Sequence, residues 1–299
     1  MRRSWLLALV LPLVASIGCA TNLANLKTAE TLKKGQWRPS AEFGVFIPAG
    51  TIAKAGSIAV EQGRSLVEAA RTGASAAPTQ EEQREIFTTA LALAVFPPGT
   101  VMNLQLRYGI TNDIDVGLRY ASTSYRADGR FRLFKHENEQ TQSSTHLALV
   151  VGIEKHNFSG LLFDMYEKLQ KLFELFRFIE LENPSRWDAD LALIVSWNFK
   201  QIVRPYLGLT YRIGRYSMPA VLSLQYEDGS LPLIAEADVK DWLHFIGTTG
   251  GVAVGYKWVY FFAELDIAYL FSKPKILGQP TAFGGLTFFP AAGLALRIP

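Results

Sequence analysis

Apolar and polar residues alternate along much of this chain, and a period of two marks a strand with one greasy face. Over 101–110, one face reads Met102, Leu104, Leu106, Tyr108 and Ile110, and the other Asn103, Gln105, Arg107 and Gly109. After Thr111-Asn112-Asp113 the pattern restarts as Ile114, Val116, Leu118 and Tyr120, opposed by Asp115, Gly117 and Arg119. Two such runs around a short polar turn predict an antiparallel hairpin. The same reading finds ten strands in all, within 37–47, 101–110, 114–120, 125–133, 146–154, 188–200, 203–213, 251–256, 259–271 and 293–298.

Most of these segments run roughly 9–13 residues, where a membrane strand needs about 9–11 and a soluble strand averages about 5–6. Their polar faces combine glycine and alanine with arginines and carboxylates, which suits a crowded lumen. Composition agrees: 49% of residues are hydrophobic and only 19% charged. The longest apolar run, 5–17, is too short for a spanning helix, which needs about 20 residues. The expectation is an all-β membrane barrel of about ten antiparallel strands, within a range of 8–12. Tryptophans 37, 187, 197, 242 and 258 lie at or near predicted strand ends, where interfacial girdles place them.

The run Tyr108-Gly109-Ile110-Thr111-Asn112-Asp113-Ile114-Asp115-Val116-Gly117-Leu118-Arg119-Tyr120 resembles a hairpin recurrent in bacterial outer-membrane β-barrel proteins. That resemblance covers 36–299 by pattern and names no substrate. It implies an outer-membrane location, with membrane lipid and the barrel-assembly machinery as partners. It also implies short periplasmic turns and long external loops. The spacing of the strands conforms in most places: the first, fifth, seventh and ninth connections are long and the second, sixth and eighth short, whereas the third is short for an external loop and the fourth, 134–145, is long for a periplasmic turn. The chain ends Arg297-Ile298-Pro299 rather than in the aromatic residue common in such barrels, and Pro290 blurs the start of the last strand.

Residues 1–18 read as an export signal, with Arg2 and Arg3 ahead of the apolar core. Setting those two aside, 30 basic residues become 28 against 27 acidic ones. So small a net charge offers no pull towards nucleic acid. Ser16-Ile17-Gly18-Cys19 resembles the lipobox of bacterial lipoproteins. That implies lipidation at Cys19 and, from Ala20 in place of aspartate, sorting to the outer membrane. The alternative is plain cleavage after Ala20. Residues 19–34 then read as a lipidated periplasmic tether, with the N-terminus periplasmic and the barrel proper over 35–299.

Two long connections carry helical patterns near 55–95 and 160–181. The second sets Leu162, Met165, Tyr166, Leu169, Leu172, Phe173, Phe176 and Ile179 along one amphipathic stripe. It could cap the barrel mouth, lie in the membrane interface or dock an envelope protein partner.

Chemistry is sparse. The single cysteine, Cys19, excludes a disulfide framework, and the four histidines lack metal-ligand spacing, so no metal, cofactor or catalytic residue is predicted. Asp188 and Asp190 would face the lumen at the outer rim, where ten-stranded outer-membrane proteases use acidic pairs with an Asp-x-His. Here His244 follows Trp242 and Leu243, so that second half is missing, and lumen arginines such as Arg126, Arg130 and Arg212 are the expected partners. The functional expectation is a non-enzymatic outer-membrane lipoprotein that anchors and displays surface loops or passes a narrow class of small solutes. The alternative is a lipid- or peptide-modifying hydrolase at the outer rim.

Overall fold

The computed structural model describes residues 21–23, 28–58, 60, 85, 88–89, 92–93, 96–121, 124–157, 179–181, 185–224, 233–276 and 279–299. Thirteen strands follow in order. They are β1 (Trp37–Phe46), β2 (Gly99–Gly109), β3 (Ile114–Ala121), β4 (Ser124–Asn138), β5 (Ser143–Asn157), the short β6 (Ile179–Leu181) and β7 (Ser185–Phe199). Then come β8 (Val203–Leu224), β9 (Leu233–Tyr256), β10 (Val259–Ser272), the two-residue β11 (Lys275–Ile276) and β12 (Gln279–Pro280), and β13 (Phe283–Leu296).

Ten of them form one antiparallel sheet that closes on itself. Pairing runs β8-β7-β5-β4-β3-β2-β1-β13-β10-β9, and β9 pairs back onto β8. The architecture is therefore the ten-stranded barrel that alternation predicts. Closure leaves no free edge among the ten, which is what a sheet in lipid requires. The turns 110–113, 139–142, 200–202 and 257–258 share one end, and the longer connections 47–98, 158–184, 225–232 and 273–282 share the other.

Alternation sorts the two faces as expected. Along β2, Met102, Leu104 and Leu106 are exposed outside, while Asn103, Gln105 and Arg107 are buried inside. On β7, Leu191 and Leu193 point out, while Asp188 and Asp190 point in. The outward apolar side chains form a belt that only lipid would cover, since a soluble barrel would put its charges there. Trp187 and Trp197 on β7 are ten positions apart, which at strand rise and barrel tilt separates them by about 25 Å along the barrel axis, the height of an apolar membrane band.

The structure departs from the sequence reading in several places. β8 and β9 have 22 and 24 residues, so their hairpin extends past the membrane band and β6 pairs with its tip. The seventh connection is accordingly short. The fourth, long in the sequence reading, is the tight turn 139–142. β13 begins at Phe283 and passes through Pro290. That proline pairs with Leu265 on β10 but falls in a gap on the other side. There pairing with β1 ends at Ala291 and resumes only at the Ile47–Phe288 bridge. A residue without an N–H is tolerated at such a break.

In the first insert, residues 49–58 are helical, as are the described positions 60, 85, 88–89 and 92–93. The second helical pattern lies outside the described residues except at its end, where 179–181 are strand rather than helix. Residues 1–20, including Cys19, also lie outside the described residues.

Candidate functional site: the barrel lumen

The lumen is walled by arginines and carboxylates that reach across neighbouring strands. Arg107 donates from Nε to Asp115 Oδ1 at 2.9 Å and from Nη1 to Asp128. Arg130 donates from Nε to the other Asp115 oxygen at 3.0 Å. Arg126 holds Asp190 with both terminal nitrogens, one at 2.6 Å, and reaches Asp128 Oδ2 at 3.4 Å. Arg119 donates to Glu154 Oε2 at 3.2 Å. Nearer the long-loop end, Arg186 grips Asp188 with bonds of 2.8 and 2.6 Å, and His156 Nε2 lies 3.2 Å from the same carboxylate.

Small residues make room for this network. A Cβ on Gly117 would meet the Arg107 side chain, on Gly152 that of Arg126, and on Gly214 the Asp188 carboxylate. Glycine on the lumen face is thus a spatial requirement of the long ionic residues, as the composition of that face suggests.

The N-terminal segment occupies the space that remains. Residues 21–23 and 28–32, read from the sequence as part of a periplasmic tether, lie inside the barrel. Thr21, Asn22, Leu23, Thr28, Ala29, Thr31 and Leu32 are all buried. Leu32 N–H donates to Asp115 Oδ2 at 3.0 Å, and Ala29 N–H to Ser196 Oγ at 3.0 Å. Arg186 donates to Thr21 Oγ1 at 2.9 Å, and Arg212 to the Asn22 carbonyl at 2.8 Å. Glu30 pairs with Arg204 at 2.8 Å and Arg297 at 3.3 Å. Ala29 also joins an apolar cluster with Ala148, Val150, Ala192, Ile194 and Tyr206. The segment therefore runs down the lumen from near Arg186, on the long-loop side, to Gly35, whose N–H bonds Gly109 at the short-turn end. There the chain turns into β1.

At the long-loop end, described residues of the first insert pack against the barrel interior. Thr88, Ala92 and Phe96 are buried, with Phe96 edge-on to Phe245 at 5.8 Å and the Arg186 guanidinium 5.2 Å from its ring. Lumen, N-terminal segment and insert together make a filled interior, as a ten-stranded barrel near the small end of the range should have.

The residues singled out from sequence can now be placed. Asp190 takes Arg126, and Arg212 lies 3.7 Å from Asp188, but Arg130 serves Asp115 instead. Asp188 has two partners that the sequence reading did not name, Arg186 and His156. The signal was available: His156 opposes Arg186 once β5 and β7 are set in register. His244 faces outward, bonded to the Tyr211 hydroxyl at 2.8 Å and stacked on Phe271 at 4.8 Å. The barrel wall separates it from both aspartates. His146 Nε2 lies 2.9 Å from the Ser144 hydroxyl, a same-face neighbour contact. Among the described residues no three His, Cys, Asp or Glu side chains converge as a metal cage, and no helix is long and apolar enough to cross a membrane.

No known protein family matches the sequence, and no curated protein matches it. Similar solved structures include Neisserial surface protein A, at 11% identity over 87% of this chain and 95% of that one, with a TM-score of 0.32. Ail, the attachment invasion locus protein of Yersinia pestis, is 10% identical over 89% and 99%, with a TM-score of 0.27. The outer membrane protease OmpT of Escherichia coli is 7% identical over 91% and 100%, with a TM-score of 0.34. Scores this low carry no functional inference, and the membrane assignment stands on the closed sheet and its lipid-facing belt.

Proposed function

We propose that this protein is a bacterial outer-membrane barrel that anchors and displays the structures at its long-loop end, and that it neither catalyses nor conducts. In this reading the short turns face the periplasm and the long loops face outside. One observation carries it: the chain's own residues 21–23 and 28–32 lie in the lumen, bonded to side chains on several strands. The extension of the β8–β9 hairpin beyond the membrane band supports display. Against the hydrolase reading stand the ion pairs that engage Asp188 and Asp190, and the outward position of His244. Passage of small solutes would require the N-terminal segment to leave.

Reconstitution in a planar bilayer tests this. A flat current trace at all voltages is expected, whereas steady channel steps from the intact chain would overturn the reading. Membrane lipid and the assembly machinery are its proposed partners, and docking of an envelope protein is proposed for 160–181. Cys19 is the proposed lipid attachment point. Cys19→Ser should lose the mass of the acyl groups, and an unchanged mass with unchanged membrane attachment would refute lipidation.

A further inference from the structure

Inside the lumen, at the short-turn mouth, three arginines gather around two rings of one strand. Tyr260 and Phe262 lie two positions apart on β10, and both are buried. The Arg204 guanidinium is 4.4 Å from the Tyr260 ring, and that of Arg297 is 5.3 Å from the same ring. The Arg38 guanidinium is 6.0 Å from the Phe262 ring. The antiparallel bridge between Trp37 and Ile298 sets Arg38, on β1, opposite Arg297, just past β13. Guanidinium groups held against aromatic faces are positioned without using their N–H donors.

Carboxylates are too few for these cations. Glu30, from the N-terminal segment, pairs with Arg204 at 2.8 Å and with Arg297 at 3.3 Å, and among the described residues neither arginine has another carboxylate. The Nε atoms of both are buried without a hydrogen-bond partner. Arg38 is only 4% exposed, and among the described residues it makes no hydrogen bond or ion pair. The carboxylate that acts on it, Asp115, is already held by Arg107 and Arg130, while Arg107, Arg130 and Arg297 act on it as like charges. Three positive charges set against the one negative charge of Glu30 leave an excess of two. In a place largely shielded from water, unmatched charge is costly. Access is from the mouth, where the Arg297 and Glu30 side chains keep 17% and 18% of their surface exposed.

We propose that this mouth binds a phosphate group, either as inorganic phosphate or as the phosphomonoester end of a small solute. A phosphate dianion matches the excess charge. Its oxygens accept from Arg38 and from the Nε–H groups that Glu30 leaves unused, in charge-assisted bonds. The barrel wall separates the site from acyl chains, so a lipid headgroup does not reach it. Binding inside the lumen does not depend on which end of the barrel faces outside.

The full chain, folded in detergent, is titrated with inorganic phosphate and with glycerol 3-phosphate by calorimetry, at constant ionic strength in chloride. Wild type should bind one phosphate group, and the tighter of the two probes identifies the source. Arg38→Gln should weaken binding by about tenfold or more. Glu30→Gln removes a like charge beside the anion and should tighten binding by about tenfold. These opposite signs distinguish a site from damage to the fold, which would weaken binding in both, and heat-modifiable migration reports folding for each variant. Lys200→Gln, on an exposed turn at the same end, should bind as wild type does. Absence of saturable binding to wild type, unchanged affinity in Arg38→Gln, weaker binding in folded Glu30→Gln, or a loss in Lys200→Gln equal to that in Arg38→Gln would each overturn the proposal.

Discussion

The two walls of the lumen solve the same problem differently. On β2, β3, β4, β5 and β7, each of the arginines 107, 126, 130 and 186 has a carboxylate in hydrogen-bond reach. Several of these groups also hold the N-terminal segment. On β1, β9 and β10 the charge is mostly negative, with Glu42, Glu264 and Asp266 buried. The Tyr206 hydroxyl donates to Glu264 at 2.8 Å, and Asp266 lies beside Glu264 and opposite Thr249, with no arginine hydrogen-bonded to it among the described residues. The lesson is one of pairing rather than of burial. Removing one member of a paired set leaves its partner as an uncompensated buried charge, which costs more than the pair itself is worth. Where a carboxyl holds no cation, its removal strands no charge.

Substitution on the two walls should therefore have opposite outcomes. The largest effect is expected from Arg126→Met, which keeps most of the side-chain volume and strands Asp190. It should lower barrel stability by about 3–5 kcal/mol, read as a lower urea midpoint in a heat-modifiability assay. An unchanged midpoint would show that the network holds nothing. An intermediate effect is expected from Asp115→Asn, which weakens the charge-assisted bonds to Arg107, Arg130 and the Leu32 amide. A loss of about 1.5–3 kcal/mol is expected, together with faster proteolysis of the N-terminal segment; protection equal to wild type would detach that segment from the paired wall. The smallest is Asp266→Asn, which removes a carboxyl that holds no arginine and keeps a polar group beside Glu264. Its midpoint should stay within about 0.5 kcal/mol of wild type or rise, and a loss as large as that of Arg126→Met would erase the difference between the walls.

Much of the barrel was legible because a bilayer and a filled lumen impose opposite demands on successive residues. Leu104 and Leu106 had to face lipid if Gln105 and Arg107 faced inward, and this contrast repeats along all ten strands. The contrast disappears where β8 and β9 leave the membrane band, so the strand starting at Leu233 was read as beginning only at 251. Pro290 misled for a local reason, because only the register shows that its missing N–H falls in a pairing gap. The candidate site was legible in its parts and not in its connections. Asp188, Asp190, Arg126 and Arg212 were all placed in the lumen from sequence, but which groups meet depends on neighbours far apart in the chain, 32 residues for His156 and Asp188 and 64 for Arg126 and Asp190. The place of residues 21–23 and 28–32 inside the lumen was not legible at all. That segment has no period because no repeating environment holds it; Thr21, Ala29 and Leu32 are held singly, by Arg186, Ser196 and Asp115.

By itself the sequence determined a closed ten-stranded membrane barrel with a charge-balanced, glycine-spaced lumen, since period, strand length and tryptophan placement are local properties of the chain. The tertiary structure alone decided that residues 21–23 and 28–32 lie inside the lumen, and that Arg186 and His156 meet at Asp188. Both depend on strand register and on contacts between residues far apart in sequence, and neither leaves a periodic trace in the chain.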